Sequence, residues 1–316
     1  MFHNIKLGAL VAGAIAFSAP VAHAENFINI LTGGTSGVYY PLGVAISEVY
    51  GQNMEGARVQ VQSTKASVEN LNLLQQGRGE LAFALGDSVK DAWEGNPEAG
   101  FKAPLGKLRA IAAIYPNFIQ IAALKDAEAT TITDLKGKSL SVGAAKSGTE
   151  LNARKIFAAA GMSYDDMGKV EYLPFSESVE LMKNRQLDAT FQSSGLGNAA
   201  LKDLSTTQAV TFVAIPADIA EKLGAPYKAG VIPAGTYPNQ DADVPTVAIT
   251  NILVTREGVS DEEAYQMTKL IFEHLDTLKA AHSAAGGISL EDAVKGLPIP
   301  LHPGAERYYK EMGVLQ

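Results

Sequence analysis

Two short loops rich in glycine and hydroxyl residues are suited to hold an anion. The first covers residues 33 to 37 (Gly-Gly-Thr-Ser-Gly) and lies between a short apolar stretch and an amphipathic one. A helix that starts there presents free N–H groups to negative charge, and glycine lets a ligand approach the backbone closely. Residues 146 to 150 (Lys-Ser-Gly-Thr-Glu) repeat the arrangement. Together the loops predict a small anionic ligand held between them, although each alone also fits a capped turn.

Other side chains near strand ends could add to such a site. Lys65 follows the second predicted strand and could neutralise a carboxylate, or it could be an ordinary solvated lysine. Tyr39 and Tyr115 could place a ring and a hydroxyl on the ligand, or they could be half-buried core residues. Residues 193 to 198 follow a later strand, where they could donate hydrogen bonds or form a plain turn.

Residues that would support catalysis or metal binding are scarce. Of the five histidines, His3 and His23 lie in the N-terminal segment and the other three near the C-terminus. No Gly-x-Ser-x-Gly, Ser-x-x-Lys or His-Glu-x-x-His motif occurs, and the chain has no cysteine. Two aspartate clusters, at 165 to 166 and 241 to 243, fit solvated loops better than calcium sites. We therefore predict a binding protein with no cofactor and no metal, not an enzyme.

Composition and charge narrow the class of protein. The 316 residues are 47% hydrophobic and 19% charged, which indicates a globular chain of about two domains. The net charge is -8, and no cluster of Lys and Arg is present to bind a phosphate backbone. These features argue against a nucleic-acid partner.

The elements that position the loops alternate between strand and helix. Short apolar runs at 27 to 31, 59 to 62 and 81 to 85 are separated by amphipathic stretches, and a second series starts at 139 to 142. This alternation predicts an α/β protein, with ligand loops beyond the carboxyl ends of the strands. Pro116 and Asn117 interrupt the run from 108 to 124, which predicts two separate strands there. Residues 118 to 124 and 246 to 255 are long enough to cross between two lobes.

These loops resemble the TAXI family, the solute receptors of TRAP transporters. The matching segments are GGTSGVYY (33 to 40), SVENL (67 to 71), SGTELNAR (147 to 154), NAA (198 to 200) and IPAGTYP (232 to 238). The resemblance implies a bilobal type II periplasmic binding fold. Lobe I would hold residues 25 to 117 and 256 to 316, and lobe II residues 125 to 245. Residues 118 to 124 and 246 to 255 would form the hinge.

The resemblance also implies which residues contact the ligand. It places there Gly34, Thr35, Tyr39, Thr64, Ser67, Ser147, Gly148 and Thr149, with Tyr115, Gly195 and Asn198 as weaker transfers. The sequence departs from the family pattern at Lys65, where a glycine is expected, and at Gly197, where a proline is expected. Lys65 would add a positive charge to the cleft and so favour a doubly anionic ligand.

The function implied is capture of a small acidic solute, such as glutamate, 2-oxoglutarate or a related C4–C5 dicarboxylate. The receptor would deliver it to TRAP membrane subunits, in which the small and large subunits are separate or fused. Two other functions fit the residues. One is an exported sensor that reports its ligand to a signalling partner. The other is an exported α/β enzyme that uses Asp87, Glu150 or Lys65 as general base.

The first 24 residues predict export. Lys6 precedes an apolar stretch from 7 to 17, and Ala22-His23-Ala24 has the small-x-small form of a signal-peptidase site. An apolar stretch of this length rises only about half the thickness of a bilayer core, so a cleaved signal is favoured over an anchor. We therefore expect a periplasmic protein that is not itself embedded in the membrane.

Overall fold

The computed structural model describes residues 26 to 316, so the predicted signal segment lies outside the described residues. The strands are β1 (Asn26–Leu31), β2 (Ala57–Gln62), β3 (Leu81–Leu85), β4 (Leu108–Leu124), β5 (Ser139–Ser141), β6 (Lys169–Glu171), β7 (Ala189–Ser194), β8 (Val210–Phe212), β9 (Lys228–Ile232) and β10 (Val244–Arg256). The helices are α1 (Tyr39–Asn53), α2 (Ser67–Gln75), α3 (Gly86–Glu94), α4 (Gly148–Ala159), α5 (Phe175–Lys183), α6 (Ala199–Thr207), α7 (Ala217–Leu223), α8 (Asp261–Glu273), α9 (Leu275–Ala281) and α10 (Pro303–Glu311).

All ten strands belong to one mixed sheet. Its main order is β2-β1-β3-β10-β4-β7-β5-β6, while β8 pairs with β4 and β9 with β10. The outer strands pair in parallel, as β2-β1-β3 at one end and β7-β5-β6 at the other. The two long strands between them run antiparallel to each other and to their neighbours. The predicted alternation of strands and helices is therefore confirmed, and the fold class is α/β.

The predicted interruption of the run from 108 to 124 is wrong, because β4 is one continuous strand. Pro116 is exposed and pairs with Thr250, next to a register shift between Thr250 and Ile252 of β10. A proline has no N–H to give to a ladder, so strands accept it at irregular positions such as this one. The proline therefore marks a bulged point within the strand and does not end it.

The apolar cores separate toward the two ends of the sheet. One set of buried residues includes Ile30, Leu42 and Met267, and another includes Ile121, Phe157 and Phe191. Two leucines cross this division: Leu85 of β3 packs with the second set, while Leu151 of α4 packs with residues of β3 and α2. The lobe boundaries given above remain a prediction. Within residues 26 to 316, no helix has the length and apolar character needed to span a bilayer.

Candidate ligand-binding cleft

A cleft lies where the loops after β1, β2, β5 and β7 meet, beyond the carboxyl ends of these strands. The empty space in the cleft, including the part that opens to solvent, is about 670 Å³. Seven of the twelve predicted ligand residues line it: Gly34, Tyr39, Thr64, Lys65, Ser67, Ser147 and Thr149. The structure thus brings the three predicted loops together around one space.

The other five predicted residues lie outside this lining. Gly148 lies in the wall against Ser67, and Thr35 lines a neighbouring cavity that contains Lys202. Tyr115 is buried behind the cleft, and its hydroxyl has no hydrogen-bond partner among the described residues. Gly195 packs against that ring. Asn198 caps α6 by accepting a hydrogen bond from the Leu201 N–H at 2.9 Å.

The N-termini of two helices meet at one corner of the cleft. Helix α2 begins at Ser67 and α4 at Gly148. A Cβ atom built on Gly148 would lie 2.6 Å from Ser67 Oγ and 2.8 Å from Leu85 Cδ1, so this close approach requires glycine. Each helix N-terminus carries partial positive charge and free N–H groups. This corner, which we call the anion corner, is the part of the cleft best suited to negative charge.

Hydroxyl groups near the anion corner are available to a ligand. The Thr149 side chain lines the cleft and makes no hydrogen bond within residues 26 to 316. Ser147 Oγ accepts from the Glu150 N–H at 3.1 Å, which leaves its own hydrogen free to donate. Ser193, at the end of β7, is 6% exposed, and its buried Oγ has no hydrogen-bond partner in the described chain. Buried hydroxyls without a hydrogen-bond partner are uncommon, and Ser193 is one of the residues that line the cleft.

Thr64 lines the cleft but uses its hydroxyl to shape the loop before α2. Its Oγ lies 2.9 Å from the Thr32 carbonyl oxygen and 2.6 Å from Asn70 Oδ1, and it accepts from the Ala66 N–H. Ala66 adopts φ 67° and ψ −144°, a conformation that costs energy for any residue with a Cβ. The strained turn holds Lys65 exposed at the rim, where its side chain forms no ion pair with the described residues.

A chain of buried amides lies beneath the cleft floor. Tyr39 donates from its hydroxyl to Asn251 Oδ1 at 2.5 Å, and burial raises the pKa of Tyr39 so that this hydroxyl keeps its proton. Asn251 donates to Asn117 Oδ1 at 2.7 Å, and Asn117 to the Ser193 carbonyl at 3.2 Å. These bonds join α1, β10, β4 and β7. The only sign of these buried hydrogen bonds in the sequence was the polar residue Asn117, directly after Pro116.

The sequence analysis did not find Phe175, the first residue of α5, which also lines the cleft. A Cβ atom on Gly37 would lie 3.8 Å from its ring, so Phe175 reaches the loop before α1. The ring is only half-buried. An apolar residue at a helix start gives no sign of facing a ligand.

Two of the three candidates for a general base are already bound to other groups. Asp87 Oδ2 accepts from Asn152, Lys155 and Tyr227 at 2.9, 3.0 and 2.6 Å, and Asp87 does not line the cleft. Burial alone would lower the pKa of Lys155, but the charges of Asp87 and Asp91 and the hydrogen bonds to them outweigh burial and raise it.

Glu150 is likewise engaged, because it pairs with Arg154 at 2.8 Å. Lys65 is the one candidate that lines the cleft.

Similarity to solved structures identifies the fold. The chain is similar to a binding protein component of an ABC phosphonate transporter from Pseudomonas aeruginosa (TM-score 0.55, 12% identity, 84% of this chain and 80% of that chain). It is also similar to a putative L-cystine ABC transporter from Listeria monocytogenes (0.51, 12%, 85% and 98%). A third is the alkanesulfonate-binding protein SsuA from Xanthomonas axonopodis pv. citri bound to MOPS (0.50, 14%, 92% and 85%).

The chain therefore has the mixed α/β fold of periplasmic solute-binding proteins. At these identities the likeness concerns the fold. Sequence comparison adds a family: the model of the NMT1-like family matches residues 30 to 313, and the chain belongs to that family.

Proposed function

We propose that this protein is the solute-binding subunit of a transporter and that it captures a small acidic solute in the cleft. The observation that carries the proposal is the anion corner, where two helix N-termini meet beside the hydroxyl of Thr149. The fold agrees with this function, since structures with similar folds include binding components of transporters. The protein would release its solute unchanged to membrane subunits.

The charges around the cleft support an acidic solute. Among the described residues that line it, Lys65 is the only charged side chain, and no carboxylate faces the space. Micromolar affinity needs about -8 kcal/mol. A hydrogen bond to a charged group contributes roughly 1.5 to 3 kcal/mol, so six of them contribute roughly 9 to 18 kcal/mol, which exceeds that figure before the cost of association is subtracted. Backbone N–H groups and hydroxyls can therefore hold an acid without an arginine.

The transporter we propose is of the TRAP type, and the protein would act in the periplasm. Support comes from the TAXI-like segments, which include the three loops around the cleft, GGTSGVYY, SVENL and SGTELNAR. Receptors of this kind close on the ligand, so that occupancy is read by the membrane subunits. The acids to test first are those that the resemblance implies: glutamate, 2-oxoglutarate and other C4–C5 dicarboxylates.

A thermal-shift panel of the purified protein tests the acidic-solute proposal. A ligand at 100 times its Kd adds about 2.7 kcal/mol to the free energy of unfolding, which for a chain of this size raises Tm by about 5 °C. We expect shifts with carboxylic acids and none with sugars or neutral amides. Shifts confined to neutral compounds would refute the proposal. Loss of labelled-acid uptake on gene deletion would separate a transport receptor from a sensor.

A further inference from the structure

We propose that the solute has one anionic group at one end and an apolar body at the other, and that Phe175 selects the apolar body. This inference rests on the proposed function and narrows its substrate class. It differs from the dicarboxylates that the TAXI resemblance implies. The argument follows from how charge and apolar surface are divided within the cleft.

Several groups that attract an anion adjoin one another at the anion corner. Ser67 and Gly148, which begin α2 and α4, are in contact, and Thr149 follows Gly148 directly. Lys65 lies two residues before Ser67 and is the only cation among the described residues that line the cleft. Ser193 also belongs to the cleft lining, and its buried hydroxyl has no hydrogen-bond partner in the described chain. The N-termini of α2 and α4 and the Thr149 hydroxyl can serve one anionic group.

Other residues of the cleft lining are apolar. Phe175 extends to within 3.8 Å of the Cβ position of Gly37, and Val38 and Pro174 line the cleft beside them. Phe175 is only half-buried, so ring surface remains for a ligand to cover. Covering apolar surface is favourable, whereas placing an unpaired carboxylate there would be costly. The lining of this cleft contains no second cation among the described residues, and Lys202 lines the neighbouring cavity.

Calorimetric titration with pentanoate, hexanoate, 4-phenylbutanoate and glutarate tests the inference. We expect each added methylene to tighten binding by about fourfold, the value for one buried CH₂ group. Pentanoate should bind at least tenfold more tightly than glutarate, which has the same number of carbons and a second carboxylate. Hexanol, which lacks the charge, should bind at least tenfold more weakly than hexanoate.

Variants test whether Phe175 selects the apolar body of the solute. Phe175→Ala should weaken 4-phenylbutanoate by about tenfold and change acetate by less than twofold. Phe175→Leu keeps an apolar side chain and should lose less. Tyr172→Ala is the matched control, because Tyr172 is an aromatic residue nearby that is 46% exposed and does not line the cleft. Equal losses in the Tyr172 and Phe175 variants would overturn the role of Phe175.

The outcomes separate this inference from the proposed function. If glutarate binds more tightly than pentanoate, the single-anion inference is wrong, while the acidic-solute proposal stands. A loss of glutarate binding in Lys202→Met would then show where the second carboxylate lies. If hexanol and hexanoate bind equally, both the anion corner and the acidic-solute proposal fail. If Phe175→Ala leaves all affinities unchanged, the apolar end is elsewhere and the inference fails.

Discussion

Gly148→Ala should weaken ligand binding without weakening the fold. The new Cβ would lie 2.6 Å from Ser67 Oγ, 2.9 Å from Ser67 Cβ and 2.8 Å from Leu85 Cδ1. Ser67 cannot easily move, because it is 1% exposed and its Oγ accepts a hydrogen bond from the Leu85 N–H. Gly148 is not among the glycines with positive φ, so alanine fits its backbone conformation. The added methyl group therefore opposes the approach of α4 to α2 and to Leu85 at the end of β3.

The size of the effect follows from the cost of overpacking, about 1 to 3 kcal/mol. If ligand binding requires α2 and α4 to meet, this cost is taken from the binding free energy, and affinity should fall by about 5- to 150-fold. When α2 and α4 separate in the ligand-free protein, the added methyl group no longer clashes with Ser67. The Tm of the ligand-free variant should therefore stay within about 2 °C of the original value.

Calorimetric titration with the best-binding acid, together with thermal unfolding of the ligand-free protein, provides the test. Gly51→Ala is the matched control, since Gly51 lies in α1 with open space around its Cβ position. Unchanged affinity in Gly148→Ala would refute the reasoning. A Tm lowered by many degrees without ligand would show that α2 and α4 stay in contact when the cleft is empty.

Three further predictions concern single side chains. Lys155→Met should lower the free energy of unfolding by about 2 to 3 kcal/mol by leaving Asp87 without its cation. Because the pKa of Lys155 is raised above 10.5, denaturant titrations should show this difference at neutral pH and lose it as alkali deprotonates the lysine. Hydrogen bonds from the Thr131 and Thr130 N–H groups lower the pKa of Asp134 to about 2. Asp134→Asn should therefore lower the free energy of unfolding by about 0.5 to 1 kcal/mol above pH 4 and leave it unchanged near pH 2 in the same assay. An equal loss at both pH values would contradict this. Thr149→Val should weaken acid binding by about tenfold in calorimetry and leave the ligand-free Tm nearly unchanged, whereas a large loss of Tm would make Thr149 a structural residue.

Much of the cleft could be predicted because its loops have a local signature. Glycines and hydroxyl residues between an apolar run and a helix indicate a strand end, and strand ends of a parallel sheet meet at one edge. This reasoning found the loops that contain Gly34 and Thr149, and the TAXI resemblance added Ser67; all three residues line the cleft. The short buried strands could also be predicted from the sequence, since their apolar runs are bounded by turn residues.

The parts that were missed depend on contacts between distant segments. Pro116 was expected to end a strand, but it pairs with Thr250 of β10 beside a register shift, and this partner lies far along the chain. Asn251 sits inside an apolar strand and becomes meaningful only when Tyr39 and Asn117 reach it. Phe175 has the pattern of a core residue, and only the approach of Gly37 shows that its ring borders the cleft. Contacts between residues that are far apart in the sequence cannot be predicted from a local sequence pattern.

Because β4 pairs with β10, the segment of the chain between these strands could be exchanged as one unit. Phe118 and Ala248 are direct neighbours in the sheet, so the two ends of the segment between them lie side by side. A segment whose ends adjoin can be replaced by another, or by a short turn, without stretching what remains. Exchange of this segment between relatives would give new pairs of cleft walls, one carrying the loops after β1 and β2 and the other those after β5 and β7. Evolution and protein engineering can thus recombine ligand preferences by transferring a single contiguous piece of gene.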